Sequence, residues 1–234
     1  MSVFDSLSQH QQELIRKHLE LVIEANKTIN LTRIDSLQDG MMLHVEDSLS
    51  GLEELNNAPE GLYGDLGSGA GYPGIPLAIA TGRQSVLVDA RKKKMQAVER
   101  IIDELGLSGQ ISAYAGRAEL LARTQSKRYA ALTARALSQT AVLLELASPL
   151  LQPGGVLICY KSQVSDSELA DAKKVQPLVG MKLEKDRSFM LGGEYQRRIL
   201  VFRKIGEPQI KLPRLEGEAQ KKPLSERSTR TRRS

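Results

Sequence analysis

The sequence predicts an α/β fold, a mostly parallel sheet wrapped by helices and preceded by a helical cap. Three observations carry that expectation. Between residues 61 and 160, short apolar runs of strand character alternate with longer runs of helical periodicity, the pattern of a parallel sheet. A glycine-rich turn, Asp-Leu-Gly-Ser-Gly-Ala-Gly-Tyr-Pro-Gly-Ile-Pro at 65 to 76, follows the first of those strands, where open α/β sheets bind ligands. Two stretches of amphipathic helix come before it.

In chain order, Ser8 to Asn26 puts Leu14, Ile15, Leu19, Val22 and Ile23 at helical spacing, so an amphipathic helix opens the protein. A second helix follows Asn30-Leu31-Thr32, with Ser36 as its cap and Leu37, Met41, Val45, Leu49 and Leu52 as its buried stripe. A strand is expected near Gly61 to Leu66, then a helix from Pro73. Pro73 and Pro76 both fit its first turn, where N–H groups lack intrahelical partners. Next come a strand at Ser85 to Asp89, a helix at Lys92 to Leu107 and a strand at Gln110 to Ala115. A fourth strand within Tyr129 to Ala134 and a helix across Thr140 to Leu150 follow. The turn Pro153-Gly154-Gly155 then introduces a fifth strand, Gly155 to Tyr160. After a helix near Asp166 to Val175, Met181 to Arg187 and Arg197 to Lys204 have strand character with no helix between them, which predicts an antiparallel hairpin at the sheet edge. The expected organisation is a cap over 1–57, a core over 58–204 and a basic, flexible tail over 205–234.

The glycine turn reads as a loop for a nucleotide-type cofactor. Lacking Cβ atoms, Gly67, Gly69 and Gly71 can take positive φ and let a ligand lie against bare backbone, while the following helix offers unpaired N–H groups. Gly69, Gly71 and Gly74 also match the G-x-G-x-x-G pattern of dinucleotide enzymes. Asp65 favours S-adenosylmethionine over a dinucleotide, because the methionine ammonium needs acceptors and the carboxylate is expected at the strand end beside the crevice. Asp89 closes the second strand at the spacing of a ribose-binding acid, which suits either cofactor.

Composition narrows the class. The chain has 234 residues, enough for one full core, and a formal net charge of +5. Its single cysteine, Cys159, lies in an apolar run and reads as a small buried hydrophobe, so an internal disulfide is excluded. Met1 to Gln12 is polar and resembles no signal peptide, and no apolar run is long enough for a membrane span, so a soluble, cytoplasmic, membrane-free protein is expected. The tail from residue 205 carries eight lysines and arginines against four glutamates, which suits contact with phosphates. With no tryptophan and nine phenylalanines and tyrosines together, a stacking platform for single strands is not expected.

Several motifs together make the chain resemble one family. Asp-Leu-Gly-Ser-Gly-Ala-Gly-Tyr-Pro-Gly-Ile-Pro-Leu (65 to 77), Arg117-Ala118-Glu119, Thr133-Ala-Arg135-Ala-Leu, Asn30-Leu-Thr and His44-x-x-Asp47-Ser48 look like the RsmG (GidB) family over about residues 20 to 204. That family methylates N7 of a guanine in bacterial 16S ribosomal RNA. The resemblance implies a Rossmann-like S-adenosylmethionine-dependent methyltransferase sheet, mostly parallel with an antiparallel last strand, and an N-terminal helical cap. It also implies cofactor contacts at Gly67 and Tyr72 in the loop, at Ala118 and Glu119 after the third strand, and at Arg135 after the fourth. Arg135 would hold the methionine carboxylate and the Ala118-Glu119 segment the adenine edge. Ala130 departs from the family pattern, in which many relatives carry an acid, and no catalytic carboxylate is assigned.

On the substrate side, Lys161 after the fifth strand and Arg197 and Arg198 at the start of the last are the candidates to face 16S ribosomal RNA or the small ribosomal subunit. The run Arg91 to Lys94 is a weaker one. His44 and Asp47, three apart, share a helix face and suit a hydrogen bond against the core better than a metal site. No metal is expected, and the protein is expected to act as a monomer. A small-molecule methyltransferase and a nicotinamide-dependent oxidoreductase are the alternatives that share the glycine loop and Asp89.

Overall fold

The computed structural model describes residues 2–226. Seven strands form one sheet: β1 (Leu62–Leu66), β2 (Ser85–Asp89), β3 (Ile111–Ala115), β4 (Tyr129–Arg135), β5 (Leu151–Lys161), β6 (Met181–Leu191) and β7 (Tyr195–Lys204). Their order is β3-β2-β1-β4-β5-β7-β6, and β7 runs antiparallel to both of its neighbours. The predicted hairpin is therefore present. β1 lies between β2 and β4, so the chain winds to opposite sides of it and opens a crevice at the strands' C-terminal ends.

In the cap, α1 (Gln9–Asn26) starts in a capping box between Ser8 and Gln11 and buries Ile15, Leu19 and Val22. The second predicted helix is not a single regular one. It runs from α2 (Leu37–Gly40) through a π-helical turn (Met41–Glu46) into α3 (Asp47–Leu49), breaks, and resumes as α4 (Leu52–Asn56). A π turn changes the helical phase, so the expected stripe does not hold along its length. Val45 and Leu49 are buried, but Leu37 is 53% exposed.

Around the sheet lie α5 (Gly74–Thr81), α6 (Lys92–Glu104), α7 (Ala118–Thr124), α8 (Thr140–Ala147) and α9 (Asp166–Leu178). α7 is not expected from the sequence pattern. It is short, and Arg117 at its N-cap makes no side-chain capping bond. Every residue of α8 is buried, Glu145 included. The helix packs against α9 and β5 and, in a second departure from expectation, against residues 205–226, which are not a loose tail but a strap packed across the core. It contains α10 (Glu218–Lys221), and Ala219 and Leu224 are buried in the apolar cluster that holds Leu121 and Leu144. Arg214 of the strap gives Nε and Nη2 to the two Glu145 oxygens, each at 2.6 Å. Arg227, Arg230, Arg232 and Arg233 lie outside the described residues.

Candidate active site

The loop after β1 takes the backbone expected of it, with φ of +75°, +57° and +93° at Gly67, Gly69 and Gly71. A Cβ on Gly69 would meet nothing nearer than the Gly67 carbonyl oxygen at 4.0 Å, so the space beside it is open to a ligand. A Cβ on Gly71 would come within 2.6 Å of Ile75, so there the missing side chain serves packing. Asp65 does not face the crevice as expected. It is fully buried behind the loop, where it accepts the Gly74 N–H at 3.0 Å and the Thr133 hydroxyl at 2.8 Å. Burial pushes its carboxyl up to about 6, against the pull of those bonds. Its role here is to brace the loop on the sheet.

Beside the loop is a cleft of about 240 Å3 whose wall includes Gly67, Asp89, Arg117, Ala118, Glu119 and Gln220. Asp89 accepts the Gly69 N–H at 3.2 Å and is clasped by Arg91 through the backbone N–H, Nε and Nη2. Burial works to raise its carboxyl, but the Arg91 bonds outweigh burial and hold it below the usual carboxylate range. The Arg91 side chain is 61% exposed, so it can leave Asp89 when another donor arrives. The Glu119 carboxylate, expected at an adenine edge, instead accepts the N–H of Gly217 in the strap at 2.8 Å.

A second cleft, of about 570 Å3, opens between the cap and the ends of β4 and β5, with His44, Asp47, Arg135, Tyr160, Lys161 and Arg197 on its wall. Asp47 stands between two arginines, accepting Arg135 Nη1 at 2.8 Å and Arg197 Nε at 2.7 Å. This is the bond between cap and core that the His44–Asp47 spacing suggested. Arg135 is thereby engaged on the cap side rather than free for a methionine carboxylate. His44 meets the Thr32 hydroxyl at 2.9 Å, and burial, helped by Arg135, lowers it to about 4, so it is neutral. Lys161 reaches this cleft but is paired with Glu168 at 2.6 Å. Arg198 reaches neither cleft: successive residues of a strand face opposite ways, and it grips both oxygens of Asp186 at 2.7 Å. Tyr72 is likewise absent from both walls, buried between His18 and His44.

Residues 136–138 separate the clefts. Leu137 lines the first, while Ala136, with φ at +52°, and Ser138 line the second. Sequence reasoning missed Leu137 and Gln220. Neither sits in a pattern that marks it.

The family model described as rRNA small subunit methyltransferase G matches residues 11–199. The chain belongs to the rRNA small subunit methyltransferase G family. The likeness read from the motifs is thus confirmed, and it extends past them. A relative named ribosomal RNA small subunit methyltransferase G, from Leuconostoc citreum, is 34% identical over 226 residues, 94% of each chain. One of the same name from Lysinibacillus sphaericus is 35% identical over 222 residues, 93% of each. Among solved structures, an O-methyltransferase from Bacillus cereus in complex with SAH aligns over 80% of this chain and 90% of its own, at TM-score 0.55 and 18% identity. A geranyl diphosphate methyltransferase in complex with SAM covers 68% and 84%, at TM-score 0.54 and 12% identity. At those identities the likeness is one of fold, and it supports the mostly parallel, methyltransferase-like sheet. The family's enzymes are methyltransferases, which leaves the dinucleotide reading of the glycines without support. Among the described residues there is no helix long and apolar enough to cross a membrane and no group of potential metal ligands.

Proposed function

We propose that the protein transfers the methyl group of S-adenosylmethionine to N7 of a guanine in small-subunit ribosomal RNA. The observation that carries this reading is the pair of clefts at the crest of the sheet, one lined by bare loop backbone and Asp89, the other by Arg135, Lys161 and Arg197. The first suits the donor. Gly67 puts loop backbone on its wall, Asp89 beside it can take ribose hydroxyls in place of Arg91, and Ala118 begins a helix there. The second suits an anionic acceptor. A methionine carboxylate directed at Arg135 would compete there with Asp47.

S-adenosylmethionine supplies an electrophilic sulfonium methyl. Guanine N7 carries a lone pair and no proton, so the chain needs no general base and no nucleophile of its own. The structure fits that economy: Cys159 is fully buried, burial pushes its thiol up to about 12, and His44 is held neutral by its surroundings. What the residues must do is align. Aligning N7, methyl carbon and sulfur in a water-poor cleft contributes up to about 7–11 kcal/mol in favourable cases. The cap and the β7 arginine close the acceptor side, and the braced loop fixes the donor side.

The test is methyl transfer from labelled S-adenosylmethionine to 16S ribosomal RNA and to small subunits, both from cells lacking this gene, with the modified base mapped. Label on N7 of one guanine is expected. Label elsewhere, or none on either substrate, overturns the substrate reading. Calorimetry showing tight NAD binding and none of S-adenosylmethionine would overturn the donor reading as well.

A further inference from the structure

The strap formed by residues 205–226 is fastened at the wall of the donor cleft. The N–H of Gly217, the N-cap of α10, is held by Glu119 of α7, and the Lys222 carbonyl at the other end accepts Arg214 Nη2 at 3.0 Å. Arg214 is in turn locked to Glu145 of α8, with side chains 7% and 3% exposed. Between those two pins, Ala219 is buried in the core while its neighbour Gln220 is exposed and stands on the cleft wall with Ala118 and Glu119. The fastening therefore fixes where a carboxamide is presented.

A carboxamide offers one acceptor and one pair of donors side by side. Adenine presents the complement along its edge, an amino donor beside a ring-nitrogen acceptor, and a glutamine can meet both at once. The Glu119 carboxylate, the polar side chain expected to meet adenine, already holds Gly217. We propose that Gln220, delivered by the strap, is the side chain that recognises the adenine of the methyl donor. This rests on the donor reading above and extends it: the strap is part of the cofactor site and not an arm for phosphates.

The test uses the full chain and two ligands, S-adenosylhomocysteine and its analogue with hydrogen in place of the adenine amino group, measured by calorimetry. Wild type is expected to prefer the adenine ligand. Gln220→Ala is expected to bind it about tenfold more weakly, the size of a net hydrogen bond to a neutral group, and to bind the analogue nearly as wild type does, so the preference shrinks. As an exposed substitution, it should leave the unfolding midpoint where it was. Unchanged affinity for the adenine ligand, or equal losses for both ligands with the preference intact, overturns the role of Gln220 while the donor reading stands. Wild type that binds neither ligand overturns both.

Discussion

The Tyr72 ring lies parallel on the His44 imidazole, with centroids 4.4 Å apart and planes 9° from coplanar. Tyr72 ends the glycine loop and His44 belongs to the π turn of the cap, so the stack fastens cap to loop. His18 of α1 closes on the ring's surroundings at 4.5 Å. The Tyr72 hydroxyl is buried with no hydrogen-bond partner among the described residues. Replacing a polar group in that position with hydrogen removes a desolvation cost of about 1 kcal/mol or more. Tyr72→Phe is therefore expected to raise the stability by about 1 kcal/mol in urea unfolding and to keep donor binding, whereas Tyr72→Ala should cost about 3–5 kcal/mol. A destabilised Tyr72→Phe protein would mean that the hydroxyl is satisfied.

Gly69 has φ at +57° and open space where a Cβ would point. Gly69→Val is expected to fold, losing about 1–2 kcal/mol to the left-handed backbone, yet to bind S-adenosylmethionine at least 100-fold more weakly, because the side chain fills ligand space. Asp89→Ala should weaken binding by about tenfold or more, the loss of hydrogen bonds to a charged acceptor. Calorimetry beside a denaturation curve separates the two effects. Affinity unchanged in both variants would show that the donor sits elsewhere.

Arg197 and Arg198 are neighbours in sequence and opposites in setting. The first meets Asp47 in the acceptor cleft, the second Asp186 on the far face of the hairpin. Arg197→Ala is expected to lower methylation of ribosomal RNA by about tenfold, the loss of one charge-assisted contact, with donor affinity preserved. Arg198→Ala removes a more exposed pair worth about 1 kcal/mol at most and should leave the rate within about twofold. Equal losses would show that both arginines face the RNA.

Acidification should destabilise the protein before it touches the carboxylates' ordinary range. Burial lowers His18 to about 3 and, with Arg135, His44 to about 4, both below the unfolded value. Their contribution is thus complete above pH 6.5 and lost as the pH falls toward those values. Asp65, raised to about 6, acts in the opposite sense and regains stability on protonation. Between pH 6.5 and 5 the two histidines together lose about 3 kcal/mol and Asp65 returns about 1 kcal/mol, a net decline of about 2 kcal/mol. Urea unfolding at the two pH values measures it, and a flat profile would contradict the buried, neutral histidines.

What could be read from the sequence was whatever depends on near neighbours. β2 occupies Ser85–Asp89 as expected, the hairpin of β6 and β7 follows from the absence of a helix between two strand-like runs, and the loop glycines take the torsions that only they take easily. What could not be read depends on partners far along the chain. Asp65 sits at the predicted strand end, but Thr133, 68 positions away, claims its carboxylate. Composition reported the charge of Arg214 without its partner Glu145, 69 positions earlier, and so mistook an ordered strap for a loose tail. Leu37 was misplaced because one π turn alters the phase that a periodic pattern assumes.

The bond between Arg197 and Asp47 spans 150 positions, while that between Gly69 and Asp89 spans 20. Short loops close at lower entropic cost and earlier, and contacts between distant segments come later. On that ordering, the glycine turn and Asp89 come together before α3 and β7 have met. The second cleft, whose wall includes both Asp47 and Arg197, is complete only once that meeting has taken place.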